Sequence, residues 1–413
     1  MIPSAAPARA PDWNRLAAIA GPEHTRLCGE AVEVSPADLR QVSEVLQFAN
    51  ANSLAVTPAG AGTKQGWGHP VAAPIRLSLL RLRRCREHAW QDMTCTVEAG
   101  CSWADMQAEL AKHGQMVALD PAWPEQATVG GIVAANDSGA WRLKYGGLRD
   151  LILGMTLVLA DGVIARTGGK VVKNVAGYDL QKLIAGSFGT LGVIAEVNFR
   201  LHPVEEHSLG WTAAANEASA LEGPLRALLA SQLSLTSLQI RADARECALD
   251  LRIDGPPECL TEYAQRLREL FHGFAPLEVR ESEPGVWKAR QELFNRKAAC
   301  VARVSVLPGQ LCSLLAELRR REQADGVEIA AVAQATGLTT LALRGDPSAV
   351  IAALRGLRAV WSGGVVLLQP SDEVRAALDV WGCDAPALPL MREVKRRFDP
   401  NRVLNPGRFV GGI

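Results

Sequence analysis

The 413-residue sequence predicts an α+β protein of two or three domains. Two patterns predict it. Glycine-rich segments separated by short apolar alternations fill the first half, up to about residue 205. From about residue 208 the glycine density falls, and the order strand–helix–strand–strand–helix–strand runs through twice. A composition 48% hydrophobic and 21% charged supplies ample apolar surface for a core. The formal net charge of zero gives no reason to expect nucleic acid or an anionic membrane as the main partner.

Taken in order, Ser35-Pro36 is expected to open a helix, with Ser35 as N-cap and Asp38 in the first turn. Leu39, Val42, Val45 and Leu46 give that helix one apolar face. Leu54 to Val56 reads as a short strand, followed by the loop VTPAGAGTKQGWG. Pro70 and Pro74 come next, then the alternation of Ile75, Leu77 and Leu79, so extended chain and no helix follows the loop. A strand at Thr94 to Val97 leads to Gly100, and Ser102 with Asp105 predicts a capping box for a helix ending at Gly114. MTLVLA and VIART flank Asp161-Gly162, the preferred pair for a two-residue hairpin turn. In VIAEVNFRL, Val193, Ala195, Val197, Phe199 and Leu201 share one face.

Strands are then expected at 209–214, 235–241, 247–253 and 277–281, with helices at 216–231 and 257–272. The second round puts strands at 299–306, 327–333, 337–343 and 364–369, with helices at 308–322 and 346–357. Two βαββαβ units predict an antiparallel sheet backed by helices. The tail PLMREVKRRFDPNRVLNPGRF reads as a basic helix followed by turns, with Lys395, Arg396 and Arg397 matched to the helix dipole. Arg81, Arg83, Arg84 and Arg86 read as solvated surface.

MIPSAAPARAPDWNR carries no apolar core of a signal peptide, and the run LILGMTLVLA stops at Asp161, short of a membrane span. The nine cysteines are scattered and form no CxxC, which predicts reduced thiols and neither an iron–sulfur cluster nor structural zinc. A cytoplasmic location is expected, with any membrane association through partner subunits.

The glycine loop fits neither familiar phosphate motif. Gly60, Gly62 and Gly66 miss the dinucleotide-binding spacing and no helix follows, while Lys64 lacks the Gly-Lys-Ser/Thr context of a P-loop. Consecutive backbone N–H groups still make an anion nest without a helix; a plain surface turn is the alternative. ATVGGIVAANDSGAWRLKYGGLRDLILG and KVVKNVAGYDLQKLIAGSFGTLGVI are two further glycine-rich stretches. Three such stretches favour one large, flat, shared ligand over three unrelated turns.

The stretches PAGAGTKQG, VEAGCSWADMQAELAKHGQ, TVGGIVAANDSG, YGGLRDLILGMTLVLADG, KNVAGYDLQKLIAGSFGTLGVI and FDPNRVLNPGRF resemble the FAD-linked oxidases of the vanillyl-alcohol-oxidase type, in particular the FAD-binding subunit of bacterial glycolate oxidase. The resemblance covers residues 30–205 and 388–409 and is weak between them. It implies a two-lobed PCMH-type FAD-binding domain at 1–205, a cap of two βαββαβ units for substrate or subunit contact at 206–387, and a segment at 388–413 returning to the first domain. It further implies that Gly60, Ala61, Gly62, Thr63 and Lys64, with Pro58 beside them, cradle the pyrophosphate. Thr128, Gly130, Gly131, Ala134, Asn136, Ser138 and Gly139 would line the phosphate and ring. Asp150, Gly186, Gly189, Thr190, Gly192 and Ile194 would hold the adenosine end and the neighbouring wall, and Asn405, Pro406 and Arg408 would reach the isoalloxazine.

His69 lies just past the loop, which itself has no histidine, so FAD is expected to bind noncovalently. Relatives that act on 2-hydroxyacids carry a GDGNxH-like metal motif; here LALRGDPSAV has Gly345-Asp346 followed by Pro347 and no histidine. No catalytic base is assignable; Lys173, Tyr178 and Arg408 are polar candidates near the flavin, and Trp67 and Trp141 candidates to border it. The resemblance implies oxidation of a small 2-hydroxyacid such as glycolate, in a complex with a larger flavin subunit and an iron–sulfur subunit, or electron transfer to a quinone. A stand-alone FAD-dependent D-2-hydroxyacid dehydrogenase and a non-catalytic, flavin-stabilised assembly subunit are the alternatives.

Overall fold

The computed structural model describes residues 11–171, 177–274, 277–295, 297–382 and 386–413. Two compact units emerge: Met1–Asp137 with Leu148–Pro203 and Ala385–Ile413, and Ser138–Gly147 with Val204–Asp384. Residues 138–147, placed by sequence in the first domain, group with the second unit.

The first unit begins with β1 (Thr25–Cys28), β2 (Ala31–Val34), β3 (Val56–Ala59) and β4 (Ile75–Ser78), in the sheet order β1-β2-β4-β3. Both β2 and β3 run parallel to β4, with helix Leu39–Ala51 crossing over between them. The cap of that helix is Asp38, not Ser35. Asp38 Oδ1 accepts the Gln41 N–H at 2.9 Å, and the Gln41 side chain returns to accept the Ala37 N–H at 2.7 Å. A carboxylate at the positive helix end, backed by this reciprocal bond, wins over the hydroxyl upstream.

Then come β5 (Cys85–Ala89), β6 (Thr94–Glu98), β7 (Gln115–Met116), β8 (Ile152–Val158), β9 (Ile164–Gly168), β10 (Val193–Arg200) and β11 (His202–Pro203). Five form a second sheet, β5-β6-β10-β8-β9, while β7 and β11 pair separately. The expected face of β10 is realised: Val193, Ala195, Val197 and Phe199 are fully buried and Arg200 is exposed. The β8–β9 hairpin forms, but around three residues, Ala160 to Gly162, and not two. Leu159 N–H donates to Val163 O at 2.9 Å, and Asp161 Oδ1 captures the Val163 N–H at 3.0 Å. That side-chain bond favours the longer loop. Val34, Ile75 and Leu77 of the first sheet join Val97, Val193 and Phe199 of the second in one hydrophobic cluster. Arg84 and Arg86 are not merely solvated: their guanidinium groups reach the buried Glu98 carboxylate at 2.9 and 3.1 Å.

The second unit carries β12 (Ser208–Ala215), β13 (Ser237–Ala242), β14 (Cys247–Asp254), β15 (Glu278–Glu281), β16 (Cys300–Ser305), β17 (Glu328–Gln334), β18 (Leu338–Arg344) and β19 (Val365–Pro370). They make one antiparallel eight-stranded sheet, β15-β12-β14-β13-β17-β18-β16-β19. Read from either edge inward, the order is fourth, first, third, second strand of a βαββαβ unit. The two second strands, β13 and β17, pair at the centre. The four expected long helices lie at Glu222–Ala230, Pro257–His272, Leu311–Asp325 and Pro347–Val360. Helix Ala289–Asn295 is an addition, with no apolar period long enough to read from sequence.

One face of this sheet is polar yet buried. Asp250 on β14 has no exposed surface and accepts from Thr212 Oγ1 at 2.8 Å, Gln239 Nε2 at 3.3 Å, and Arg241 Nε and Nη2 at 2.6 and 3.1 Å. Residues 138–147 belong to the same face: Gln334 Nε2 donates to Ser138 O at 3.4 Å. Among the described residues no helix is long and apolar enough to cross a membrane.

Asp250→Ala leaves the Thr212 hydroxyl, the Gln239 amide and a half-buried guanidinium without this acceptor. It should cost the second unit about 3 kcal/mol in urea unfolding; an unchanged unfolding midpoint would contradict this account of the polar face.

Candidate functional site

In the first unit a crevice opens at the end of β3. Four stretches line most of it: the loop Pro58 to Gln65; Thr128 with Gly130, Gly131, Ala134 and Ala135; Phe188 with Gly189, Gly192 and Ile194; and Asn405 with Arg408 from the tail; Leu79 and Ala99 complete the lining. None of the described lining residues is acidic.

The shape follows from close backbone approach. A Cβ on Gly60 would lie 2.1 Å from Thr128 Oγ1, and one on Gly130 would lie 2.7 Å from the Ala99 Cβ. Thr128 caps the short helix Val129–Ala135, its Oγ1 accepting the Gly131 N–H at 3.4 Å. Gly130 N–H donates to Ala99 O at 2.8 Å, and Ala99 N–H to Ala195 O at 2.8 Å, which docks the helix against the β6–β10 edge. Gly62 is different. Its φ of +78° demands glycine, but a Cβ there would find nothing nearer than Gln65 Cγ at 4.0 Å.

The two basic residues of the crevice are committed within the chain. The Lys64 ammonium is buried, 3.5 Å from Asp137 Oδ2 and 3.2 Å from Ala122 O, and lies over the Trp123 ring. Arg408 donates to Gln65 Oε1 at 2.7 Å and to Lys64 O at 3.0 Å, stapling the tail to the glycine loop. Burial pushes the Arg408 guanidinium down to about 10, so it remains a cation at neutral pH. Asn405 enters with φ +42°; its N–H donates to Val56 O at 3.0 Å and its Nδ2 to Phe188 O at 2.8 Å. Its Oδ1 is buried and accepts no hydrogen bond from the described residues. An acceptor left open beside a main-chain-lined, acid-free crevice fits a ligand that brings both negative charge and N–H or O–H donors.

Of the residues expected at the site, Pro58, Gly60, Ala61, Gly62, Thr63, Lys64, Thr128, Gly130, Gly131, Ala134, Gly189, Gly192, Ile194, Asn405 and Arg408 come together here. Seven do not line the crevice, Pro406 among them. Asn136 and Gly186 pack on each other, a Gly186 Cβ falling 3.0 Å from the Asn136 Cβ. Thr190 is buried, with its hydroxyl on Ser187 O at 2.7 Å. Asp150 is exposed on its short helix, and Ser138 and Gly139 belong to the second unit. Trp67 is buried against Trp123, with ring centroids 6.3 Å apart, and is not a lining residue. The His69 N–H donates to Arg408 O at 3.0 Å, Tyr178 is almost fully exposed, and Lys173 lies outside the described residues. Leu79, Ala99, Ala135 and Phe188 line the crevice unannounced. Ala99 sits in VEAGCSW and Phe188 in GSFGTLG, where only the neighbouring glycines hint at them. Among the described residues no group of three or more His, Cys, Asp and Glu side chains is placed to hold a metal ion.

Residues 31–168 match the family described as FAD binding domain, and residues 383–409 match the FAD linked oxidases, C-terminal domain. The chain is 24% identical to the mitochondrial D-lactate dehydrogenase [cytochrome] of Arabidopsis thaliana, over 92% of this chain and 73% of that protein. It is 34% identical to glycolate oxidase subunit GlcD of Bacillus subtilis (strain 168), over 42% of this chain and 37% of that protein. With the D-lactate dehydrogenase of Archaeoglobus fulgidus it shares 38% identity over 42% of this chain and 39% of that protein. The match to these last two thus spans about two fifths of their length. Among solved structures, p-cresol methylhydroxylase superposes with a TM-score of 0.74 at 15% identity, covering 96% of this chain and 95% of that one. Alkyldihydroxyacetonephosphate synthase gives 0.67 at 17% identity, covering 91% and 75%. At these identities the likeness is one of fold.

Two glycine substitutions should separate wall-building from ligand space. Gly130→Ala forces its methyl into Ala99 and should cost about 1–3 kcal/mol of stability in thermal or urea unfolding. Gly62→Val points into open crevice and should lower stability by only about 1–2 kcal/mol of backbone strain while blocking ligand uptake. Reversed outcomes would mean that the walls are assigned wrongly.

Proposed function

Because the chain belongs to the FAD-linked oxidases, we propose that the first-unit crevice holds FAD noncovalently and that the protein is the FAD-binding subunit, of the GlcE type, of a glycolate (2-hydroxyacid) oxidase or dehydrogenase. The observation that carries this reading is the convergence of three glycine segments and the tail on one crevice without an acidic lining residue. In this reading the main chain of Gly60 to Lys64 meets the pyrophosphate. Thr128, Gly130, Gly131 and Ala134 run along the phosphate and ring. Gly189, Gly192 and Ile194 form the facing wall. Asn405 Oδ1 accepts a hydrogen bond from the cofactor, and the buried Arg408 cation fixes the loop that carries the anion.

When bound, FAD supplies the two-electron chemistry that oxidises the carbon bearing the hydroxyl, and the chain supplies orientation and electrostatics. The chain's part is to exclude water from the crevice and to hold the tail against the loop. Glycolate is the favoured substrate, with a partner iron–sulfur subunit or a quinone as electron acceptor and a larger flavin subunit alongside. Both relatives matched over about two fifths of their length bear names for enzymes of this substrate class, a glycolate oxidase subunit and a D-lactate dehydrogenase. The absence of a GDGNxH-like stretch favours a chain that works within a complex. A stand-alone D-2-hydroxyacid dehydrogenase is the second reading, favoured by the match to a D-lactate dehydrogenase over 92% of this chain.

The purified chain should be yellow and release its flavin on acid or heat treatment. Mixed anaerobically with glycolate or D-lactate, its flavin should bleach only when partner subunits are present; bleaching by the chain alone selects the second reading. A colourless protein that refuses added FAD overturns both.

A further inference from the structure

We propose that Lys395 is a positioning residue that couples docking of the C-terminal segment to retention of the cofactor. The inference rests on the reading of the crevice as the FAD site. Lys395 lies in the last turn of helix Leu388–Phe398, where its neighbours Arg396 and Arg397 are exposed and pair with Glu393. Lys395 instead turns inward and is 5% exposed. Its ammonium donates to Asp399 Oδ2 at 2.6 Å, Thr190 O at 2.8 Å and Leu404 O at 2.9 Å. All three of its protons are thereby used. The Asp399 carboxylate, itself fully buried, accepts the N–H groups of Val403 and Leu404 at 2.9 and 2.8 Å.

The placement of the acceptors gives the pair its meaning. Thr190 follows Gly189, in one wall of the crevice, and Leu404 precedes Asn405, which the tail contributes to it. One ammonium therefore ties together two chain segments more than 200 residues apart, from behind the surface the ligand would touch. Asn405 Oδ1 and the Arg408 staple reach the crevice only when the tail is docked, so the binding-competent population depends on this tie. Desolvation lowers the pKa of the Lys395 ammonium, opposed by Asp399, so the pair is held by its geometry and full set of bonds and not by charge in water.

The test compares wild type with K395M and with K395M/D399L, by titrating FAD into each stripped protein and following quenching of flavin fluorescence and the shape of its visible absorption band. K395M strands a buried carboxylate and should weaken FAD binding by about tenfold or more. The double variant removes both charges and should recover melting temperature, but not affinity or the wild-type flavin spectrum, because Thr190 O and Leu404 O remain untied. A purely structural role predicts that affinity and spectrum recover with stability, which overturns the inference. In the wild type, FAD should also slow tryptic cleavage at the exposed Arg396 and Arg397; equal cleavage with and without FAD overturns it even if K395M fails to fold. A wild type that takes up no FAD removes the crevice reading and this inference together. A wild type that binds FAD beside variants of equal affinity removes this inference alone.

Discussion

Everything in the first unit is dimensioned by contact between main chain and neighbour with no side chain between them. Gly60 abuts the Thr128 hydroxyl and Gly130 abuts Ala99, at separations that a single methyl group would violate. These approaches bring the loop after β3 and the helix after Thr128 to the same crevice. The same atoms therefore specify packing and ligand space. Gly62, whose conformation but not whose surroundings demand glycine, marks where wall gives way to open volume.

The electrostatic design is indirect. The chain is neutral overall, and the cations at the crevice are tied down within the chain, Lys64 near Asp137 and Arg408 on the carbonyl of Lys64. On the proposed reading, an anion in the crevice would meet the main chain of the glycine loop, held in place by these buried charges. That arrangement costs no reorganisation on binding, since the lysine and arginine already have fixed partners. The buried Asp250 of the second unit uses the same logic, with one carboxylate organising three strands through four bonds.

The sheet of the second unit was the most legible part of the sequence, because the order strand–helix–strand–strand–helix–strand runs through it twice and its four expected helices are long enough to show an apolar face. Helix Ala289–Asn295 escaped notice because its single short apolar patch, Leu293 and Phe294, defines no period. The helix cap shifted from Ser35 to Asp38 because a reciprocal bond from Gln41 is visible only once the turn exists. Glycine runs made most of the crevice legible, since bare backbone at three places needs a common cause. They also drew in Asn136 and Gly186, which satisfy each other away from the crevice, and they said nothing of Phe188 or Ala99, whose side chains carry no chemical mark. Lys395 could not be told from Arg396 and Arg397 in a row of three basic residues; only the register of the helix decides which one faces inward.

The doubled βαββαβ order of the second unit makes each half depend on the other. Each half presents its second strand, β13 or β17, to the other at the centre of the sheet, and neither half has another covered margin of that kind. A gene encoding one half alone would yield a protein with a naked inner edge, satisfied most simply by a second identical copy paired antiparallel to it. The two halves nevertheless differ in chemistry: the first carries the buried Asp250 network, while Ala330, Val332 and Ala342 of the second form an apolar cluster with Leu293.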